Sequence, residues 1–202
     1  MSWQHFVALG DSLTAGVGDP VEGIETRGWA DRFAEALRPV QYTNLAQRGA
    51  TTSDILATQV EPALALKPDI VSLLAGGNDM LQPDWNPDQT RANLRAILLP
   101  FAERGVSLLT FTMGDIFPAF PPEQQIYFRR TQALLHRVNN LMREVSREVG
   151  AILVDLQNAP EVADLAIVSA DMVHPNMLGY QRIAQLAIAQ VMELALRRGQ
   201  VA

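Results

Sequence analysis

The sequence predicts an α/β fold, a doubly wound parallel sheet of five strands with helices on both faces. Strand and helix patterns alternate five times along the chain, which is typical of sheets built from strand–helix–strand units. The strand segments are continuously apolar, as expected where both faces of a sheet are covered. The 202 residues suffice for one domain, and no linker, repeat or low-complexity segment divides them. We therefore expect a single domain over residues 1–202.

The five predicted strands are short apolar runs, the first of which leads directly into a Gly-Asp-Ser sequence. The strands are predicted at residues 5–10, 42–46, 69–76, 107–113 and 151–156. In a doubly wound sheet, ligands bind outside the carboxyl ends of the strands, near the point at which the strand order reverses. Functional residues are therefore expected in the segments that follow the strands, at residues 10–18, 46–51, 76–85 and 114–122 and after residue 156.

The predicted helices lie between and after the strands, at residues 28–38, 52–66, 87–103, 122–149 and 176–198. The third helix has a complete start signal, because Asn86 can cap it, Pro87 takes its first position and Gln89 can complete a capping box. The fourth helix stops at Gly150. The last helix has an apolar stripe that comprises Tyr180, Ile183, Ala187, Val191 and Leu194.

The composition excludes several classes of site and partner. The chain contains no cysteine, which rules out disulfides, zinc–thiolate sites, iron–sulfur clusters and cysteine nucleophiles. The net charge is −6 and no basic run occurs, which argues against binding to nucleic acid or to an anionic membrane. No motif points to a cofactor, so none is expected. The sequence leaves the oligomeric state open.

The hydropathy pattern bears on localisation. The amino terminus has no basic region and its apolar run stops at Asp11, so no signal peptide is expected. No segment reaches the ~18 consecutive apolar residues that a membrane helix needs. We therefore expect a cytoplasmic protein without stable insertion into a membrane.

A nucleophilic serine is the first chemical hypothesis, because Ser12 directly follows the first strand. A serine hydroxyl is a poor nucleophile unless a base takes its proton, and histidine is the usual base. The chain has three histidines. His5 opens the first strand, at the opposite edge of the sheet, and His136 is expected on the solvated side of the fourth helix. Only His174, in a loop before the last helix, is expected at the same edge as Ser12.

Further residues at this edge complete the hypothesis. Asp171 lies three residues before His174, where its carboxylate can accept a hydrogen bond from one ring nitrogen and fix the tautomer. Acyl transfer also needs donors for the developing oxyanion. Gly49 follows the second strand and offers a backbone N–H. Asn78 follows the third strand and offers a side-chain amide.

Four blocks of the chain resemble the SGNH (GDSL-type) hydrolase family: ALGDSLTAGVG, NLAQRGATT, LAGGNDM and DMVHP, in the order of that family. The resemblance covers the whole predicted domain and implies a three-layer α/β/α sandwich with a five-stranded, flavodoxin-like parallel sheet. It implies Ser12 as nucleophile, His174 as base and Asp171 as the residue that orients it. The N–H groups of Ser12 and Gly49 and the amide of Asn78 would form the oxyanion hole.

The resemblance implies a serine hydrolase that cleaves carboxylic esters through an acyl-enzyme intermediate, with a small-molecule ester as substrate. Small to medium acyl groups are expected, because two apolar loops follow the third and fourth strands. Thioesterase, lysophospholipase and carbohydrate acetylesterase activities would use the same triad and stay open as alternatives. The residues expected to line the pocket are Met80, Trp85, Phe117, Phe120 and Val173.

Competing interpretations have weaker support. A dinucleotide fingerprint lacks its third glycine after Gly16 and Gly18, and position 14 is Thr where the α/β-hydrolase elbow needs glycine. A non-catalytic flavodoxin-like binding module would need a broken set of catalytic residues, yet every member is present. Asp11 and Asp79 are expected to support the loops by hydrogen bonds. A metal site is the least favoured reading, and its candidate ligands would be Asp79, Asp115, Asp171 and His174.

Overall fold

The computed structural model describes residues 3–197, with side chains through Leu194. Five strands form one sheet: β1 His5–Gly10, β2 Gln41–Asn44, β3 Ile70–Leu74, β4 Ser107–Phe111 and β5 Ile152–Val154. The helices are α1 Ser12–Ala15, α2 Trp29–Leu37, α3 Thr52–Thr58, α4 Val60–Ala65, α5 Gly77–Met80, α6 Pro87–Ala102, α7 Pro122–Glu148 and α8 Met177–Arg197. Residue 198, where the sequence predicts the last helix to end, lies outside the described residues.

All neighbouring strands are parallel, in the order β2-β1-β3-β4-β5. This is the flavodoxin-like order, which reverses direction between β1 and β3. The predicted fold class is therefore confirmed. The reversal places the carboxyl ends of β1 and β3 side by side, with Gly10 paired to Leu74. The segments after these two strands, which begin at Asp11 and Ala75, meet at the switch point.

Two layers of apolar side chains cover the sheet, one on each face. Successive residues of β1 belong to different layers, because side chains of a strand alternate between the faces of the sheet: Phe6 and Ala8 pack on one side, Val7 and Leu9 on the other. The first layer is completed mainly by α2 and α8, whose buried residues include Trp29, Phe33, Tyr180 and Ala187. The second layer is completed by α3, α4 and α6, whose buried residues include Ile55, Leu94, Ile97 and Leu98.

The predicted helix over residues 52–66 is in fact two helices, α3 and α4, which meet at Gln59. Pro62 cannot donate the hydrogen bond that would continue the first helix. The side chain of Gln59 is buried and bonds both backbone groups of Gly10, at 2.9 Å and 2.8 Å. The break therefore places an amide against the end of β1. The one-turn helices α1 and α5 were not predicted, because four residues give no periodic signal.

Helix α7 is much longer than the strands it accompanies. Its 27 residues correspond to about 40 Å, whereas a five-residue strand spans about 17 Å. The side chain of Asn139 bonds the N–H and the C=O of Met113, just after β4 ends. Since the chain runs from the β4 end into α7, residues 122–138 lie beyond the carboxyl edge of the sheet. We call residues 122–138 the projecting half of α7.

Candidate active site

The end of β1 presents Ser12 at the switch point. Gly10 has φ +148° and packs closely, because a Cβ there would lie 2.5 Å from the carbonyl oxygen of Leu74. Asp11 caps α1, and its Oδ1 accepts the N–H of Leu13 at 3.0 Å. Ser12 is the first residue of this helix and is buried. The first N–H groups of a helix have no partner within it, so the backbone at Ser12 can donate to a ligand.

Three side chains form a continuous chain of contacts at this point. Nε2 of His174 lies 2.8 Å from Oγ of Ser12, and Nδ1 of His174 lies 2.6 Å from Oδ2 of Asp171. The pKa of Asp171 is lowered to about 2 by hydrogen bonds to its carboxylate. The backbone N–H of His174 has the largest effect, and the ring of His174 and the backbone N–H of Val173 have smaller ones. An ionised carboxylate only accepts hydrogen bonds, so Nδ1 carries the proton and Nε2 is free to accept the proton of Ser12.

The loop that positions His174 is fastened to the segment after α1. Asp19 donates its backbone N–H to Oγ of Ser169 at 2.9 Å and accepts the N–H of Ala170 at 2.7 Å. A Cβ on Gly18 would lie 2.0 Å from the carbonyl oxygen of Pro175. Sequence reasoning did not identify these residues. The glycine directly before Asp19 was the available signal, since a close approach of two backbones requires it.

The proposed oxyanion donors Asn78 and Gly49 lie in segments that contact Asp11 and the end of β1. Nδ2 of Asn78 donates to the carbonyl oxygen of Ala50 at 2.9 Å and lies 3.4 Å from Oδ2 of Asp11. The N–H of Gln47 donates to the carbonyl oxygen of Gly10 at 3.2 Å. These two bonds dock the loop that contains Gly49, which has φ +78° and is exposed. The loop therefore lies beside the end of β1 with the conformation that glycine favours.

The two supporting aspartates have different environments. Asp11 is buried, and this burial raises its pKa to about 6, against the opposing effects of the Leu13 N–H and the charge of His174. Asp79 accepts the N–H and the hydroxyl of Thr52 and the hydroxyl of Thr90. Asp79 thus fixes the start of α3 directly after the Gly49 loop.

The other two histidines lie away from Ser12. His5 is buried at the start of β1, where Nε2 lies 2.9 Å from Oγ1 of Thr43. His136 lies on the solvated side of α7, as expected, since 41% of its side chain is exposed, and its Nε2 also lies 2.6 Å from Oδ2 of Asp115. The aspartates considered as metal ligands thus have separate partners. Within residues 3–197, no group of three or more His, Cys, Asp or Glu side chains could hold a metal ion.

A cavity of about 210 Å³ opens from Ser12 and His174 into the interior. Its walls come from the segments after β1, β3, β4 and β5 and from helices α7 and α8. Most of the lining side chains are apolar, and several of them, including Leu74, Leu135 and Ile183, are buried. Three residues predicted for the pocket, Met80, Phe117 and Val173, line this cavity together with Leu13, Leu81, Met113, Ile116, Leu156, Val162, Ile167, Val168 and Met172.

Two residues predicted for the pocket do not line this cavity. The ring of Phe120 is buried against Phe128, with 4.5 Å between centroids. The indole of Trp85 donates to Oγ1 of Thr90 at 2.9 Å, and the guanidinium of Arg137 lies 5.7 Å from its ring centroid. Both aromatic side chains attach loops to neighbouring helices. Their hydrophobicity alone could not distinguish that role from substrate binding.

Sequence comparisons identify similar proteins. Residues 8–182 match the profile of the GDSL-like lipase/acylhydrolase family. Over 86 residues the chain is 35% identical to the spore germination lipase LipC of Bacillus licheniformis, an alignment that spans only 39% of each protein. Over 169 residues it is 27% identical to an acetylxylan esterase of Geobacillus stearothermophilus, which covers 75% of this chain and 72% of that protein.

Solved structures of the same fold include three that align over nearly the whole chain. LAE5, an α/β hydrolase enzyme from the metagenome of Lake Arreo in Spain, aligns with a TM-score of 0.74, 23% identity and coverage of 95% of this chain and 96% of that one. TesA aligns with a TM-score of 0.73, 23% identity and coverage of 95% and 99%. The acetylxylan esterase Axe2 of Geobacillus stearothermophilus aligns with a TM-score of 0.74, 22% identity and coverage of 94% of each chain.

Proposed function

The chain belongs to the GDSL-like lipase/acylhydrolase family, as its four sequence blocks predict, and we propose that it cleaves carboxylic esters through Ser12, His174 and Asp171. The observation that supports this most directly is the unbroken series of contacts from Asp171 to His174 at 2.6 Å and from His174 to Ser12 at 2.8 Å. These distances lie within the range needed for proton transfer between a nucleophile and its base.

The proposed reaction has two halves. Oγ of Ser12 attacks the ester carbonyl while Nε2 of His174 takes the hydroxyl proton, and the charge of Asp171 stabilises the imidazolium. The tetrahedral intermediate collapses, the C–O bond to the alcohol breaks, and His174 returns its proton to the leaving alkoxide. Water then attacks the acyl-enzyme with His174 as base, which releases the acid and restores Ser12.

The oxyanion of each intermediate needs donors that already point at it. The proposal assigns this role to the N–H groups of Ser12 and Gly49 and to the amide of Asn78. An amide nitrogen has two hydrogens, and the bond to the carbonyl oxygen of Ala50 uses one of them. The contact with Asp11 is long, at 3.4 Å, so the second hydrogen is available to the substrate.

The apolar cavity supports acyl esters of small to medium length as substrates. Its volume of about 210 Å³ is small for a ligand site. A sugar buried in it would lose the hydrogen bonds of its hydroxyl groups to water and would find few partners among aliphatic side chains. An alkyl chain gains about 0.8 kcal/mol for each buried methylene group. The acyl portion of the substrate therefore fits the cavity, and the alcohol portion stays outside.

Carbohydrate acetylesterase activity is the second candidate, because an acetylxylan esterase is similar over three quarters of the chain. An acetyl group would occupy only the outer part of the cavity, with the sugar in solvent. Chain length separates the two candidates. If the cavity binds the acyl chain, kcat/KM for p-nitrophenyl esters rises about fourfold per methylene group until the cavity is full. A monotonic fall from the acetate would favour the acetylesterase, and acyl-CoA substrates in the same panel test thioester cleavage.

The nucleophile and the cavity each have a direct test. A fluorophosphonate should label Ser12 in the folded wild type and leave Ser12→Ala unlabelled, and an unlabelled wild type would instead support a binding module. Leu135→Phe should reduce kcat/KM for octanoate esters by at least about tenfold and spare the acetate, because the larger ring takes up cavity volume that a long acyl chain needs and an acetyl group does not. Leu141→Phe on the same helix is the matched control, since Leu141 packs in the other apolar layer. Equal effects on both esters would contradict this acyl site.

A further inference from the structure

The mouth of the cavity is surrounded by exposed apolar side chains. The described residues include eight large hydrophobic side chains that are exposed. Three of these, Leu81, Met172 and Val173, line the cavity and are 58%, 46% and 64% exposed. By contrast, Val40 and Leu66 lie near the opposite ends of strands β2 and β3. The exposed apolar residues at the mouth thus form a patch around the entrance, which is a feature of interaction surfaces.

The projecting half of α7 extends this patch outward. Tyr127, Thr131 and Leu135 are spaced by four residues and share one face of the helix. Thr131 and Leu135 line the cavity, whereas Tyr127 lies one turn farther out and is 80% exposed. Ile126 beside it is 56% exposed. The face that begins inside the cavity therefore ends outside it at Tyr127, with the exposed Ile126 beside it.

The charge of this segment is opposite in sign to that of the whole chain. Between residues 122 and 138 there is one carboxylate, Glu123, and there are three guanidinium groups, Arg129, Arg130 and Arg137. Arg137 lies over the ring of Trp85. Arg129 and Arg130 are exposed, and the ion pairs in the described part of the chain do not involve them. Charges within about 8 Å dominate at physiological ionic strength. The outer end of this segment, around Arg129 and Arg130, is therefore locally basic despite a net charge of −6, whereas the carboxylate of Asp115 contacts Gln132 and His136 at its inner end.

We propose that the projecting half of α7 and the cavity mouth dock on the surface of an anionic phospholipid bilayer, from which an apolar ester enters the cavity. Arginines beside exposed aromatic and aliphatic side chains are the combination that binds an interfacial helix to anionic lipid. A tyrosine suits the boundary between headgroups and acyl chains. No helix in residues 3–197 has the length and hydrophobicity to cross a bilayer, so the contact is peripheral.

This proposal depends on the proposed ester hydrolysis only in its assumption that an ester moves from the bilayer into the cavity. Binding to the bilayer itself can be measured without turnover. Binding of the Ser12→Ala protein is measured by flotation with two kinds of vesicle, one of phosphatidylcholine alone and one that also contains about 30 mol% phosphatidylglycerol. The second kind supplies the anionic lipid that attracts basic segments. Binding to the anionic vesicles is expected, with loss at high salt and little binding to phosphatidylcholine.

Two double variants test the two components of the surface. Arg129→Gln/Arg130→Gln should weaken binding to anionic vesicles by about 30-fold, from about fivefold per arginine. Ile126→Ser/Tyr127→Ser should weaken it by at least about tenfold. The controls are Arg147→Gln, at the other end of α7, and Val40→Ser, which should bind as the parent does. When they are made in the protein that retains Ser12, both double variants should hydrolyse the water-soluble p-nitrophenyl acetate at the wild-type rate.

The outcomes separate the docking surface from the proposed chemistry. Hydrolysis of the soluble ester without vesicle binding overturns the surface alone, and vesicle binding without hydrolysis overturns the chemistry alone. Equal binding by the double variants and their controls overturns the assignment to α7. The proposal is also overturned if the protein does not bind vesicles and forms a dimer in solution that Ile126→Ser/Tyr127→Ser dissociates. The patch would then be a contact between two copies of the chain.

Discussion

Replacement of Asp11 by Asn should stabilise the protein at neutral pH. Only 2% of Asp11 is exposed, and burial raises its pKa from 3.8 to about 6. Each pKa unit corresponds to about 1.4 kcal/mol, so keeping this carboxylate ionised in the folded state costs roughly 3 kcal/mol. Asn removes the charge, and its side-chain oxygen can still accept the N–H of Leu13. The new amide would face Asn78, which offsets about 1 kcal/mol of the gain.

The sign of the pH dependence follows from the raised pKa. Below about pH 3.8 the carboxyl is protonated in both folded and unfolded chains, so it does not alter the free energy of unfolding. As the pH rises toward 6, the unfolded chain has released this proton while the folded chain still binds it, and the wild type loses stability. Above about pH 6 the full cost applies. The advantage of Asp11→Asn should therefore be absent near pH 4 and reach about 1–3 kcal/mol at pH 8.

Urea unfolding followed by circular dichroism at pH 4, 6 and 8 measures this difference. For a chain of about 200 residues, 2 kcal/mol corresponds to a rise in Tm of about 4–8 °C. The exposed Asp84→Asn is the control for loss of one negative charge. The reasoning would be refuted if the difference in free energy of unfolding between the two proteins were the same at all three pH values, or if the wild type were more stable than Asp11→Asn at pH 8. Turnover should fall several-fold in Asp11→Asn, since the carboxylate attracts the imidazolium of His174.

Three further variants test the proposed site. Asp171→Asn should lower kcat by roughly 10⁴, and circular dichroism should show that its fold is intact. Because the pKa of Asp171 is about 2, the acid limb of the wild-type pH–rate profile should reflect another group. Asn78→Ala should lower kcat by roughly 10²–10³ with little change in KM, in steady-state assays with a soluble ester. Gly18→Ala should lower both Tm and kcat, because its Cβ would displace Pro175 next to His174; unchanged values would show that the loop tolerates the shift.

The convergence of residues at one edge could be predicted because topology alone determines it. The carboxyl ends of parallel strands lie at the same edge, so residues that follow different strands must approach each other. Ser12 and His174 are 162 positions apart, yet the loop order alone placed both at this edge. His5, at the amino end of β1, could be placed away from the site by the same argument. These inferences needed no knowledge of side-chain conformation.

The residues that sequence reasoning missed act through contacts without a periodic pattern. Gln59 lies within an apparently continuous helix, and nothing in its neighbours indicates that its amide bonds Gly10. Asp19 is an ordinary turn residue in the sequence, and its bonds to Ser169 and Ala170 span about 150 positions. Pocket residues were equally hard to assign, because Trp85 is as hydrophobic as any lining residue. Its indole N–H has a hydrogen-bond partner elsewhere.

The attachment of the histidine loop suggests why the proposed nucleophile and base stay in register. The loop that contains His174 bonds to Asp19, and the hydroxyl of Tyr180 on α8 donates to the carbonyl oxygen of Val17 at 2.7 Å. Both partners belong to the segment that directly follows α1, which begins at Ser12. We therefore expect a displacement of this segment to move both reactive groups together and to keep the 2.8 Å contact between them. Because a misplacement of 1 Å can cost about 100-fold in rate, such coupling protects the reaction from fluctuations of either loop.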